Sequence, residues 1–298
     1  MLRTVEKRKK TRLNEQSRKE ERAAYLFVLI PIIGFLLFTV AATSYSLFLS
    51  FNKYNIHRET MKFVGFENYA TLFQSQEFGN SVLNTVVLLL SIPLGITIGL
   101  LLAVYLKKLA KGSKVLSLIY YLPAITSAVA VNLVWRYIFN YEFGILNNLF
   151  GFKIDWFDVS NFWTIKVAIM IRGVWGGIGG TMILYLAGLN NIPNDYYESS
   201  MIDGANKFQQ LVHITIPLVS PTTFYLVVTS IIGGLQSYAD ARIFAAGNKN
   251  ARTIVYYIWT YGIGSKNYGL ASAASVILAI SICIITVIQF KRSKMLDI

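Results

Sequence analysis

The sequence predicts an all-α membrane protein with six transmembrane helices, both termini inside (N-in/C-in), and a long cytoplasmic loop between spans four and five. Three observations predict it. Of the 298 residues, 54% are hydrophobic and only 14% are charged, against about 25% charged in a soluble domain. Six nearly uncharged stretches reach the ~20 residues that a helix needs to cross the hydrocarbon core. The cations are also distributed unevenly around those stretches. This composition argues against a water-soluble enzyme, a disordered chain, a fibrous repeat and a nucleic-acid-binding module, despite a formal net charge of +13.

Residues 1–22 carry nine Lys/Arg against four Glu. This basic tail abuts apolar sequence and reads as a cytoplasmic anchor at anionic lipid. The membrane domain follows over 23–292. Span one covers 24–50. Val40-Ala41-Ala42 would suit a signal-peptide cleavage site, but the leader and apolar run are too long for one, so a retained helix is expected. Span two covers 82–105 and span three 115–138. Span four covers 167–189, with Arg172 near its start; span five covers 217–238, opened by Pro217; span six covers 268–290. A short cytoplasmic tail, 293–298, closes the chain. The uncharged stretch 253–265 has 13 residues, too few to span, and is expected to form an outer surface or re-entrant helix. Cys283 is the only cysteine, so no intrachain disulfide can form; it is expected to be a small buried hydrophobe.

With the N-terminus inside, segments 1–22, 107–114, 190–216 and 291–298 hold 17 Lys/Arg, whereas the outer loops 52–81, 141–161 and 240–266 hold 8. The short segment with Lys107, Lys108, Lys111 and Lys114 is the clearest orienting signal.

Loop 190–217 is the most informative stretch. Pro193 and Asn194 end span four. Asp195 is expected to cap a short helix, with Glu198 three residues on as its capping-box partner. Asp203-Gly204 breaks that helix, and a second runs from about Asn206 to His213 before Pro217. The small residues Ser199, Ser200, Gly204 and Ala205 would let backbones approach closely. A helix, glycine break and helix folded under the membrane can fit a groove on a soluble partner; a plain solvated loop is the alternative.

The series Glu198-Ser199-Ser200, Asp203-Gly204-Ala205, Phe208, Ile214 and Pro217 closely resembles the EAA loop of the membrane subunits of binding-protein-dependent ABC importers. Ser199 and Ser200 stand where that loop has Ala. Other segments resemble the sugar-importer branch (maltose/glycerol-phosphate-like) of the same family. They are Phe63-Val64-Gly65-Phe66-Glu67-Asn68-Tyr69, Leu122-Pro123-Ala124, Trp135-Arg136-Tyr137-Ile138-Phe139, Gly144-Ile145-Leu146-Asn147 and Tyr268-Gly269-Leu270-Ala271-Ser272-Ala273. The chain departs from the branch at Ala246-Gly247-Asn248-Lys249-Asn250, where many members have a Gly-Gly-Pro turn.

The resemblance implies a multi-pass permease subunit of the cell membrane that translocates a sugar or oligosaccharide. Its partners would be a second permease subunit in a heterodimer, an ABC ATPase dimer and an extracytoplasmic solute-binding protein. The loop would act as a coupling helix: Glu198 caps or salt-bridges at the ATPase dock, Gly204 allows the bend, and Ala205 and Phe208 pack on the ATPase. No cofactor is expected in this chain, because ATP and Mg belong to the partner ATPase. Consistently, the sequence contains no Gly-x-x-x-x-Gly-Lys-Ser/Thr phosphate loop. It also has no metal-ligand spacing and no catalytic constellation; its two histidines, His57 and His213, fall on opposite faces.

Candidates for the substrate path are Trp175, Gln236 and Tyr238, which combine aromatic faces with hydrogen-bonding groups, and the charged Arg172 and Asp240 near span ends. Interfacial anchoring and snorkelling are the competing readings. The glycines Gly173, Gly176, Gly177 and Gly180 suggest close helix packing or local unwinding beside the path. Two alternatives stand: an importer of a non-sugar solute such as a glycerol phosphate, and a polytopic membrane enzyme or scaffold.

Overall fold

The computed structural model describes residues 20–55, 60–109 and 111–293. The basic tail up to residue 19, His57 and the C-terminal residues 294–298 lie outside the described residues. Helix α1 (Glu20–Ser50) is followed by a hairpin of β1 (Asn52–Asn55) and β2 (Thr60–Phe63), then α2 (Glu67–Gln74). Next come α3 (Gln76–Leu88), α4 (Ser91–Lys108), α5 (Ser113–Ile125), α6 (Ala128–Ile138) and α7 (Ile145–Phe150). The last set is α8 (Thr164–Asn190), α9 (Asn194–Ile202), α10 (Lys207–Leu218), α11 (Ser220–Leu235), α12 (Ile254–Trp259) and α13 (Tyr268–Arg292).

Four helical stretches are long and apolar enough to cross a membrane: α1, the continuous α3–α4 run, α8 and α13. Two bent pairs, α5–α6 at 96° and α10–α11 at 65°, raise the number to six if each is one span. The sequence predicts one span over 115–138, and a short helix at about 206–213 followed by a span opened at Pro217; proline chemistry explains each departure. Pro123 lies inside α5, and Thr126 donates its hydroxyl to Leu122 O at 2.8 Å. That bond competes with the helical ladder, and the backbone turns extended at Thr126 before α6 starts.

Span five was expected to open at Pro217. Instead Pro217 lies in the last turn of α10, the break falls at Val219, and Pro221 occupies the first turn of α11. Upstream, Leu211–Thr215 forms a π-helical turn, a widening that relieves the crowding a proline ring imposes four residues back. A milder case is the tight turn between α3 and α4, where Leu90 N donates to Val87 O and Ile92 N to Leu89 O ahead of Pro93.

The β1–β2 hairpin corrects a purely helical expectation. Its antiparallel register pairs Asn52 with Phe63 and Tyr54 with Met61. Asn68 pins it by donating to Ser50 O at 2.8 Å and Asn52 O at 3.1 Å. Stretch 253–265 is helical, as expected of a segment too short to span, but it is not superficial. Ile254 and Tyr257 of α12 are buried with Leu72, Phe78, Leu235 and Leu270.

A second core joins Ala103 and Leu106 of α4 to Met182, Tyr185 and Leu189 of α8 and Leu226 of α11. A third collects Phe139, Trp156, Ile165, Ile169 and Phe244. Large apolar side chains on the outer helix faces stay exposed, Phe38 at 83% for instance, as a hydrocarbon solvent allows. Cys283 is among the exposed residues rather than buried, on a helix whose packed face belongs to Ala271, Ala274 and Leu278.

Candidate functional site

The loop after α8 is built by two helix-end devices. Helix α9 ends with Asp203 as C-cap and Gly204 at φ +79°. Ala205 N donates to Ser200 O at 2.9 Å and Gly204 N to Met201 O at 3.1 Å, the paired bonds of a Schellman stop. No atom crowds a Cβ added at Gly204, so its requirement is backbone conformation, not close approach. The capping box is real but misassigned by the sequence. Helix α9 starts from Pro193 with no side-chain cap, so Asp195 and Glu198 do not form one. The box forms on α10: Asn206 Oδ1 accepts from Gln209 N at 2.9 Å, and Gln209 Oε1 accepts from Asn206 N at 2.8 Å.

Tyr197, Gln210 and Thr215, which the sequence did not single out, clamp the two helices together with Ser200 and Lys107. Gln210 Nε2 donates to Ser200 Oγ at 2.9 Å and to Tyr197 O at 3.3 Å. The Tyr197 hydroxyl shares a 3.1 Å hydrogen bond with Thr215 Oγ1. Lys107, at the end of α4, donates to Leu189 O at 2.6 Å and lies 5.4 Å from the Tyr197 ring centroid. The Asn-x-x-Gln spacing of 206 and 209 was available as a signal; the contacts of Tyr197, Gln210 and Lys107 need the fold. Of the predicted residues, Glu198, Ser199 and Asp203 are exposed and Ser200 is half-buried within the clamp. Phe208 is 71% exposed and Ile202 88% exposed. The loop thus presents an apolar knuckle on a braced frame.

The candidate path residues fall into two groups. Arg172 on α8 and Asp240 after α11 form an ion pair at 2.9 Å with little exposure. Trp175, one turn along α8, meets Trp135 edge-on at 5.3 Å between centroids. Tyr238 packs with Tyr256 and Trp259, and Arg242 lies 3.4 Å over the Trp259 ring. Gln236 is exposed at the end of α11. The glycine-rich run is helical throughout, with no unwinding. Its close approach is made by Gly179, where a Cβ would strike the Tyr120 backbone of α5; Gly173, Gly177 and Gly180 face open space in this chain.

Loop 246–250 is held from both sides. Asn248 and Asn250 donate to Phe157 O and Val159 O, while Asn84 donates to Lys249 O and Arg252 O. Among the described residues no group of His, Cys, Asp and Glu could hold a metal ion.

Residues 95–293 match the model of the family described as binding-protein-dependent transport system inner membrane component. The chain belongs to that family. It is the permease subunit of an ABC importer, a multi-pass protein of the cell membrane, and ATP hydrolysis is the work of a separate subunit. Probable ABC transporter permease protein YesP of Bacillus subtilis (strain 168) is 34% identical over 93% of this permease and 92% of its own length. The arabinooligosaccharides transport system permease protein AraP of the same organism is 29% identical over 92% and 89%. A crystal structure of a bacterial ABC transporter involved in import of the acidic polysaccharide alginate matches with a TM-score of 0.81 at 26% identity, covering 93% of the permease and 96% of that chain.

Proposed function

We propose that this permease passes a sugar or oligosaccharide across the membrane, driven through loop 190–217 by a separate ATPase dimer that binds ATP and Mg. A second, non-identical permease subunit would complete the path, and an extracytoplasmic solute-binding protein would deliver the solute. The carrying observation is the likeness, over nearly the whole chain, to a permease named for arabinooligosaccharide transport and to a transporter that imports the polysaccharide alginate. The four long helices, the two bent pairs and the Lys/Arg bias support a six-span, N-in/C-in arrangement.

The loop geometry supports the coupling role. The exposed Ile202 and Phe208 are the kind of apolar anchors that seat in a partner's cleft. Behind them, the Gln210–Ser200 and Tyr197–Thr215 bonds tie α9 to α10, and the Lys107 contacts tie the knuckle to α4 and the end of α8. A braced loop transmits motion; a slack one would let nucleotide-driven closure dissipate.

The glycerol-phosphate alternative needs a cation free to meet a phosphate. Arg172, its candidate, is neutralised by Asp240, which favours the uncharged solute. The test is uptake of a labelled panel of neutral oligosaccharides, uronate oligosaccharides and glycerol phosphates by cells expressing the complete importer. Saturable ATP-dependent uptake of a saccharide is expected, and exclusive uptake of a glycerol phosphate would overturn the reading.

A further inference from the structure

We infer that the pocket where α4, α8 and the 190–217 loop meet is a binding site for a phosphate-bearing anion, a phospholipid headgroup or a soluble phosphate ester. The pocket has a volume of about 260 Å³, and its wall includes Lys107, Lys108, Lys207, Asn194, Tyr197 and Thr215. At roughly 30 Å³ per water, that is room for several groups of water size. No carboxylate contributes to the wall. The ion pairs among the described residues are Arg172–Asp240 and Arg252–Glu77, so none of the three lysines is neutralised by a carboxylate. Asp195 and Glu198 lie on α9 beside the pocket, but both are exposed and outside its lining.

Three ammonium-bearing side chains line one concave wall; Lys107 donates to Leu189 O at 2.6 Å, and no carboxylate supplies a counter-charge to any of the three. An anion with several acceptor oxygens would supply that counter-charge, with the amide of Asn194 as a further donor; the Tyr197 and Thr215 hydroxyls are engaged with each other and with Gln210 O. The pocket also sits at the right level for lipid. The apolar sequence of α4 ends at Leu106, and Val104, Leu189 and Leu211 line the same cavity. A basic pocket with an apolar floor at a helix end is the form in which headgroups are held between spans. An occupant here would touch α4, α9 and α10 at once and so add to the bracing of the loop. This assignment goes beyond the proposed transport function and holds whichever solute is carried.

The test uses the complete importer, purified without nucleotide in mild detergent, and native mass spectrometry with added phosphatidylglycerol, phosphatidylcholine or inorganic pyrophosphate. The pocket variant carries Lys108→Gln with Lys207→Gln, leaving the Lys107–Leu189 contact in place. The control carries Lys111→Gln with Lys114→Gln, equal in charge but outside the pocket lining. Wild type and control are expected to retain phosphatidylglycerol over phosphatidylcholine, and the pocket variant to retain about thirtyfold less, at the scale of two lost cationic contacts.

Retention of pyrophosphate without lipid, lost in the same variant, assigns the pocket to a soluble ester. Equal retention by all three proteins, or equal loss in the control, overturns the proposal. Lys207→Gln alone, at an exposed position, serves if the double variant fails to assemble: it should lower retention severalfold, and unchanged retention overturns the site. Sugar uptake measured separately reports on the proposed function and leaves the lipid readout untouched.

Discussion

Gly204 shows how much a single position can carry. Its φ of +79° lies where a side chain costs about 1–2 kcal/mol, and nothing within 4 Å would clash with a new Cβ. Gly204→Ala is therefore expected to lower uptake by straining the Schellman stop without disturbing the spans, whereas Gly204→Asn, which tolerates this region, should retain more. Uptake rates at matched membrane levels of the two variants check this; equal loss would point to steric contact with a partner instead. Arg172 and Asp240 make a second case. Removing one partner leaves a charge with little access to water, at a cost on the order of 3 kcal/mol. Arg172→Met and Asp240→Leu should each lower the thermal stability of the purified importer, and the double variant should recover much of the loss. A double-mutant cycle without recovery would mean the pair is not coupled.

At the scale of elements, the sequence was most legible where hydrophobic runs are long and uninterrupted. Helices α1, α8 and α13 lie within a few residues of the expected spans 24–50, 167–189 and 268–290. It was least legible where prolines compete with the ladder. The 96° turn between α5 and α6 and the 65° turn between α10 and α11 are absent from any hydropathy profile. Local hydrogen bonds decide them, as in the Thr126–Leu122 contact. The loop was legible as helix, glycine break and helix because Gly204 has a backbone reason to be there. Its clamp was not, because Tyr197, Gln210 and Thr215 meet only after α9 folds back on α10. The capping box on α10 gives a test at this scale. Asn206→Ala removes the acceptor of the Gln209 amide and should cost about 1 kcal/mol of local stability. Faster amide exchange confined to 206–215, with uptake reduced, is the expected result; unchanged exchange there would deny the cap its role.

At the scale of the molecule, the coupling reading requires the 190–217 loop to lie on the same side of the membrane as the ATPase, and the whole topology turns on that placement. The Lys/Arg bias favours the inside, yet the loop itself holds a single cation, Lys207, so the signal comes from its neighbours rather than from its own sequence. Ser199 is exposed on α9 and accepts a cysteine without loss of a described hydrogen bond. In a background with Cys283→Ser, Ser199→Cys should resist a membrane-impermeant maleimide in intact cells and react in inverted vesicles. A cysteine at Lys153, in the segment between α7 and α8 that the coupling reading places outside, should show the reverse. The two sites test whether α8 crosses the bilayer as well as which side the loop is on. They lie on opposite sides of α8 in sequence, so opposite labelling requires an odd number of crossings between them. Matching labelling would place both on one face and remove the mechanical link between the loop and its motor.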